Sequence, residues 1–70
     1  MRRDPVSSKS IASIGYNADA ETLDVEFVTR RVYRYRGVEA DVFEDFRAAQ
    51  SKGTFFNAHI KDAYPFMRLK

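Results

Sequence analysis

In Val32-Tyr33-Arg34-Tyr35-Arg36 two tyrosines alternate with two arginines. A spacing of two puts the phenol rings on one face of a strand and the guanidinium groups on the other. Aromatic rings on a sheet stack on unpaired bases, and guanidinium groups bind phosphate. Arg30 and Arg31 stand just before this stretch and extend its cationic side. A second stretch, Ser51-Lys52-Gly53-Thr54-Phe55-Phe56-Asn57, has a glycine and a threonine that present backbone donors at a helix start, a geometry that can hold a phosphate. The residues that would carry nucleic-acid binding are therefore Arg30, Arg31, Arg34, Arg36, Lys52, Tyr33, Tyr35, Phe55 and Asn57.

Each of these signals also has a structural reading. Tyr33 and Tyr35 share a face with Val25 and Phe27 and fit a core beneath helices. Their hydroxyls would then need partners, for which Asn57 and Ser8 are candidates. Asp24 and Glu26 can neutralise the strand arginines as solvated ion pairs. The Ser51 to Asn57 stretch is also ordinary chemistry for a tight turn between two helices.

Catalysis and metal binding find little support. His59 is the one histidine and there is no cysteine, so no thiol nucleophile, thiolate zinc site or disulfide is available. No serine sits in a nucleophile-elbow context, and Glu44 and Asp45, being adjacent on a helix, point in different directions. No cofactor is implied.

The 70 residues make one domain, 1–70. A chain this short buries only about 60% of its unfolded surface, so its core must be rich in large rings. Six Phe and four Tyr meet that need. The net charge of +2 describes a small cationic excess, and its distribution matters more than its size. No run approaches the roughly 18 apolar residues of a membrane span, and no apolar stretch follows the N-terminal charges. A cytoplasmic protein with no membrane partner is expected.

The elements that position these residues follow from periodicity. Residues 1–9 lead in as an extended, partly mobile segment. Ile11 to Tyr16 alternates as a first strand, with Ala12, Ile14 and Tyr16 on one side and Ile11, Ser13 and Gly15 on the other. Thr22 to Val28 is a second strand and the Tyr33 stretch a third. Across a hairpin at Thr29-Arg30-Arg31, Phe27 is set opposite Tyr33, Val25 opposite Tyr35, Glu26 opposite Arg34 and Asp24 opposite Arg36. Val42, Phe46 and Ala49 then recur at helical spacing, predicting a helix from about Glu39 to Gln50 or Ser51. Gly53 is expected to close it in the left-handed region and Thr54 to cap a second helix that ends near Ala63, before Pro65. Phe66 to Lys70 is apolar enough to pack back in part. The predicted class is α+β: a three-stranded antiparallel meander followed by a two-helix hairpin on the Leu23, Val25, Phe27, Tyr33, Tyr35 face.

Taken together, Ser7-Ser8, Ile14-Gly15-Tyr16, Leu23 with Val25 and Phe27, Tyr33-Arg34-Tyr35, Val38, Ser51 with Gly53, Phe55-Phe56-Asn57, Ile60 and Tyr64-Pro65 resemble the KTSC domain. That short module is found at the C-terminus of some lysyl-tRNA synthetases and as free-standing bacterial or phage proteins. The resemblance covers nearly the whole chain. It implies the same three strands and two helices, no catalysis, and a role in binding RNA or another nucleic acid that is inferred from the synthetase context. Two departures stand out: Arg30-Arg31 replaces a hairpin that often holds glycine, so one arginine is expected at positive φ, and Glu39 stands where proline usually follows Val38.

The expected function is therefore a small non-catalytic binding module with a nucleic-acid partner, RNA favoured. Its phosphate patch would comprise Arg30, Arg31, Arg34 and Arg36, with Lys9, Arg2 and Arg3 in support. The alternative is a protein-interaction or self-associating module that uses an exposed sheet edge or an outer face bearing Ile11, Val28 and Val32.

Overall fold

A computed structural model describes residues 4–5 and 9–70. The order of elements is β1 (Asp4–Pro5), β2 (Ile11–Asn17), β3 (Thr22–Phe27), β4 (Val32–Arg36), α1 (Ala40–Ala48), α2 (Lys52–Phe55), a π-helical turn (Phe56–Ile60) that continues α2, and β5 (Phe66–Arg68). All five strands form one antiparallel sheet in the order β1-β2-β3-β4-β5. The fold is α+β as predicted, but the sheet is wider than the expected three strands. Asp4 and Pro5 pair with Ile14 and Ser13 on one edge. On the other, the tail that was expected only to pack back forms β5, with Phe66, Met67 and Arg68 paired to Tyr35, Arg34 and Tyr33. The expectations for Arg2, Arg3, Ser8 and most of the N-terminal lead lie outside the described residues.

The helices cover one sheet face. Ile11, Ile14, Leu23, Val25, Tyr35, Val38, Phe46, Phe56 and Ile60 form the core. Phe46 anchors α1 with no exposed surface. Phe43 on the same helix stacks on Tyr16 at 4.8 Å, and the Tyr16 hydroxyl donates to the Val38 carbonyl at 2.6 Å. Ile11 joins this core although simple alternation turned it outward. A bulge between Ile11 and Ser13 sets two residues of β2 against one of β3, so Ile11 and Ile14 face the same way. Val32, the other residue expected on an exposed outer face, is also buried, and of the predicted apolar trio only Val28 is exposed.

The β3–β4 register differs from the expected one by two residues. Val25 faces Tyr33, Leu23 faces Tyr35, Asp24 faces Arg34 and Glu26 faces Val32. The cause lies in the hairpin. Arg30 N–H donates to the Phe27 carbonyl at 2.8 Å, Phe27 N–H donates to the Arg31 carbonyl at 2.9 Å, and Arg30 takes φ 72°. This is the three-residue loop in which a type I turn is closed by a left-handed residue. The loop is Val28-Thr29-Arg30, one position earlier than predicted, and moving a loop by one residue moves every cross-strand pair by two. Faces are preserved; partners change. One arginine does accept positive φ, as the resemblance implied. A side chain in that region is disfavoured by about 1 kcal/mol or more. Arg30→Gly is accordingly expected to stabilise the fold by about 0.5–1 kcal/mol, seen as a higher urea midpoint at unchanged slope.

The helical half departs from expectation at its corner. α1 stops at Ala48, because Ala49 is already extended at ψ 139°, and Ser51 caps α2 with its Oγ accepting from Thr54 N–H at 3.3 Å. Gly53 is inside α2 and not left-handed. Its lack of a side chain serves closeness instead: a Cβ there would lie 2.8 Å from Ser10 Oγ. Ser10 also accepts from Val28 N–H at 2.9 Å through its carbonyl, so α2 is drawn down where β2 begins and β3 ends.

Candidate functional site

That approach leaves a cleft between the sheet and the second helical segment. Its volume is about 480 Å³, within the size range of small-ligand sites. Five aromatic rings form a closed cycle around it. Phe27 meets Tyr33 at 5.7 Å, Tyr33 meets Phe66 at 5.5 Å, Phe66 meets Tyr35 at 5.5 Å, Tyr35 meets Phe56 at 5.5 Å, and Phe56 meets Phe27 at 5.3 Å. Four of the five contacts are edge-to-face and the fifth is tilted, arrangements favoured by the ring quadrupoles at about 0.5–1.5 kcal/mol each. Each ring holds its two neighbours, so the wall is preorganised.

The elements explain why these rings converge. Phe27, Tyr33 and Tyr35 share the helix-side face of β3 and β4, and Phe66, paired to Tyr35, adds a ring from the edge strand. Phe56 comes from the π turn, where Lys61 N–H donates to the Phe56 carbonyl at 2.9 Å. Single π turns of this kind recur at functional sites. Here the turn buries Phe56 and Ile60 while Asn57, Lys61 and Asp62 line the cleft.

Tyr35 is only 3% exposed, Tyr33 is half-buried and Phe66 is 55% exposed, so the cleft is sealed at its base and open at β5. Neither the Tyr33 nor the Tyr35 hydroxyl has a hydrogen-bond partner among the described residues, and no fully enclosed polar side-chain atom is left unsatisfied. The Tyr35 hydroxyl therefore opens on the cleft instead of bonding to Asn57. Burial pushes it up to about 12, with smaller contributions from the Tyr33 phenol and the Asp62 carboxylate, so near neutral pH it is a hydrogen-bond donor.

Two further grooves adjoin the cleft, and Ser10 borders all three. One, about 510 Å³, is lined by Lys9, Lys52, Gly53, Thr54 and Asn57 among others; the other, about 330 Å³, includes Lys9, Arg31, Phe27 and Tyr33. With Lys61 in the cleft itself, four cations surround an aromatic centre. The Lys52 ammonium also donates to the Ala49 carbonyl, which ties it to the corner between the helices.

The predicted site residues are thus divided. Tyr33, Tyr35 and Asn57 meet in the cleft, and Arg31 and Lys52 stand in the grooves beside it. Phe55 points elsewhere: it is half-buried between Phe46 at 5.5 Å and His59 at 4.6 Å, in a separate groove with Val42 and Tyr64. Arg30 is exposed in the hairpin and Arg36 is exposed at the far end of β4. Arg34 is engaged on the reverse face. Its Nε and Nη2 donate to Asp24 at 2.8 and 3.0 Å, and this carboxylate, itself 4% exposed, holds the guanidinium protonated more firmly than usual. The expected Glu26–Arg34 pair is absent because the register moved, and Glu26 accepts from Ser13 Oγ at 2.8 Å instead. The cleft residues that periodicity alone did not single out as ligand-facing are Phe66, Lys61 and Asp62. Lys61 follows Asn57 by four residues and was findable from that spacing.

Among the described residues, no helix is long and apolar enough to cross a membrane. Comparison with known proteins bears on the frame that carries these rings. A lysine–tRNA ligase of Nostoc punctiforme is 39% identical over 59 residues, which are 84% of this chain but 10% of that protein. An uncharacterised protein of Stutzerimonas stutzeri is 36% identical over 61 residues, 87% of this chain and 86% of its own length. The crystal structure of a KTSC domain protein from Yersinia pestis superimposes with a TM-score of 0.96 at 38% identity, covering 99% of this chain and 97% of that one. The model of the KTSC domain matches residues 7–64, which span β2 through Tyr64, and the chain belongs to the KTSC domain family.

Proposed function

We propose that this chain is a non-catalytic module that binds single-stranded nucleic acid, RNA in preference, by seating an unpaired base in the aromatic cleft while the surrounding cations follow the phosphates. The observation that carries the reading is the ring cycle of Phe27, Tyr33, Phe66, Tyr35 and Phe56 with Lys61, Lys9, Arg31 and Lys52 around it. Stacking on aromatic rings contributes about 1–3 kcal/mol per base, and a positively charged groove supplies the sequence-independent remainder. The similarity to a segment of a lysine–tRNA ligase supports an RNA setting. Phosphate binding falls to the cleft cations and not to Arg34, which is committed to Asp24.

A titration of labelled single-stranded RNA at low and moderate salt tests this. Affinity is expected to fall steeply with salt, as counterion release requires. The paired variant Arg31→Ala and Lys61→Ala, both at exposed positions, should keep its melting temperature, weaken binding to all oligonucleotides about equally and flatten the salt slope by about 1–2. Salt-independent binding, or undiminished affinity in that variant, would sink the proposal. Association strengthened by salt would favour a protein-interaction module instead, for which exposed Phe66 and Met67 on the edge strand, with Leu69 just after it, offer an apolar surface.

A further inference from the structure

Resting on the nucleic-acid reading, we infer that the cleft selects guanine, with the Asp62 carboxylate accepting from the base's N1–H and 2-amino group and the Tyr35 hydroxyl donating to its O6. The starting observation is an acid where a polyanion site should have none. Asp62 lines the cleft beside Lys61, and no ion pair or hydrogen bond among the described residues occupies it. An ionised carboxylate only accepts hydrogen bonds. It repels phosphate and serves a ligand that presents donors.

The second observation is independent. Tyr35 is 3% exposed and lines the cleft, and its hydroxyl, which is not fully enclosed, has no partner among the described residues. A hydroxyl that borders a cleft without a protein partner can donate to a ligand seated there. Tyr35 therefore supplies one donor and Asp62 two acceptors within one aromatic enclosure.

The four RNA bases answer that pattern differently on their Watson–Crick edges. Guanine offers two adjacent donors, N1–H and the 2-amino group, next to the O6 acceptor. Adenine sets an unprotonated N1 beside its single amine, cytosine an unprotonated N3 beside its amine, and uracil one N–H between two carbonyls. Only guanine satisfies both carboxylate oxygens and a hydroxyl donor at once. The open side of the cleft at Phe66 and Tyr33 leaves ring surface for the base plane. A cationic amine ligand would also suit rings and a carboxylate, but Lys61, Lys9, Arg31 and Lys52 around the opening disfavour it.

Fluorescence anisotropy with a short labelled oligouridylate carrying one central guanine, hypoxanthine or adenine tests the assignment. The guanine oligomer should bind the intact chain at least about tenfold more tightly than the adenine one, as expected for one bidentate base contact. Hypoxanthine, which lacks the 2-amino group, should fall between. Asp62→Asn, at an exposed position, should abolish the guanine preference without weakening the adenine oligomer. Tyr35→Phe should reduce the preference at an unchanged melting temperature. Equal binding of all three oligomers by the intact chain, or a guanine preference that survives Asp62→Asn, overturns the inference while leaving the nucleic-acid reading intact. No binding of any oligomer at low salt overturns both.

Discussion

Tyr35→Ala is expected to destabilise the fold by about 3–5 kcal/mol, the usual range for truncating a buried aromatic side chain. In chemical denaturation this would appear as a lowered midpoint with little change in slope. The ring is 3% exposed and holds two members of the aromatic cycle, Phe56 and Phe66, each at 5.5 Å. Its removal opens a cavity in the core and loosens the cleft together. Tyr35→Phe separates the two effects, since it keeps the ring and deletes only a hydroxyl that no described residue engages. Stability near neutral pH should then be almost unchanged.

The two variants also differ in alkali. The folded chain holds the Tyr35 proton up to about 12, whereas an unfolded tyrosine titrates near 10. Between those values the native state binds more protons than the unfolded chain, so stability is intact below pH 10 and declines as pH rises toward 12. Tyr35→Phe should shed part of that alkaline loss. Tyr16 contributes in the same direction, its hydroxyl's pKa being raised by burial and by nearby Glu21, Asp41 and Glu39.

Arg34→Ala should lower stability by about 2 kcal/mol. Removing one partner of a fully buried pair costs about 3–5 kcal/mol. Arg34 is itself 37% exposed at its side chain, so its loss admits water to Asp24 and the penalty shrinks. Asp24 nonetheless remains a nearly enclosed carboxylate that has lost both of its guanidinium donors. The check is a urea melt of Arg34→Ala beside Arg36→Ala. The second variant removes an exposed arginine and should stay within about 0.5 kcal/mol of the parent. Equal midpoints for the two would show that the Asp24–Arg34 pair is merely a surface contact. Oligonucleotide binding measured on folded Arg34→Ala should be nearly unaffected, which distinguishes this arginine from Arg31 and Lys61.

The features legible in the sequence were those written in a period. Alternation assigned Leu23, Val25, Phe27, Tyr33 and Tyr35 to the helix side and Asp24, Glu26 and Arg34 to the other, and the structure keeps that division. Registers and bulges have no periodic signature. The hairpin carries no glycine to mark its left-handed position, so the choice between Arg30 and Arg31 was invisible, and with it the Asp24–Arg34 pairing. Ile11-Ala12-Ser13 contains neither glycine nor proline, so nothing in it announced the bulge that turns Ile11 inward. Glycine's commonest task near a helix end is to terminate it, which is what the sequence predicts for Gly53, whereas in the fold Gly53 makes room for Ser10. Of the cleft, Tyr33, Tyr35 and Asn57 were found from residue type. Phe66 and Asp62 were not, because a three-residue strand is too short to show alternation and a single acid in the turn after a helix resembles any solvated side chain.

The fifth ring of the cycle has a position unlike the other four. Phe66 stands in an edge strand of the sheet, and half of it faces solvent. Because it lies outside the buried interior, the last wall can be exchanged with little disturbance to the scaffold beneath. A substitution at Phe66 would therefore reshape the mouth of the cleft while the core beneath it keeps its packing.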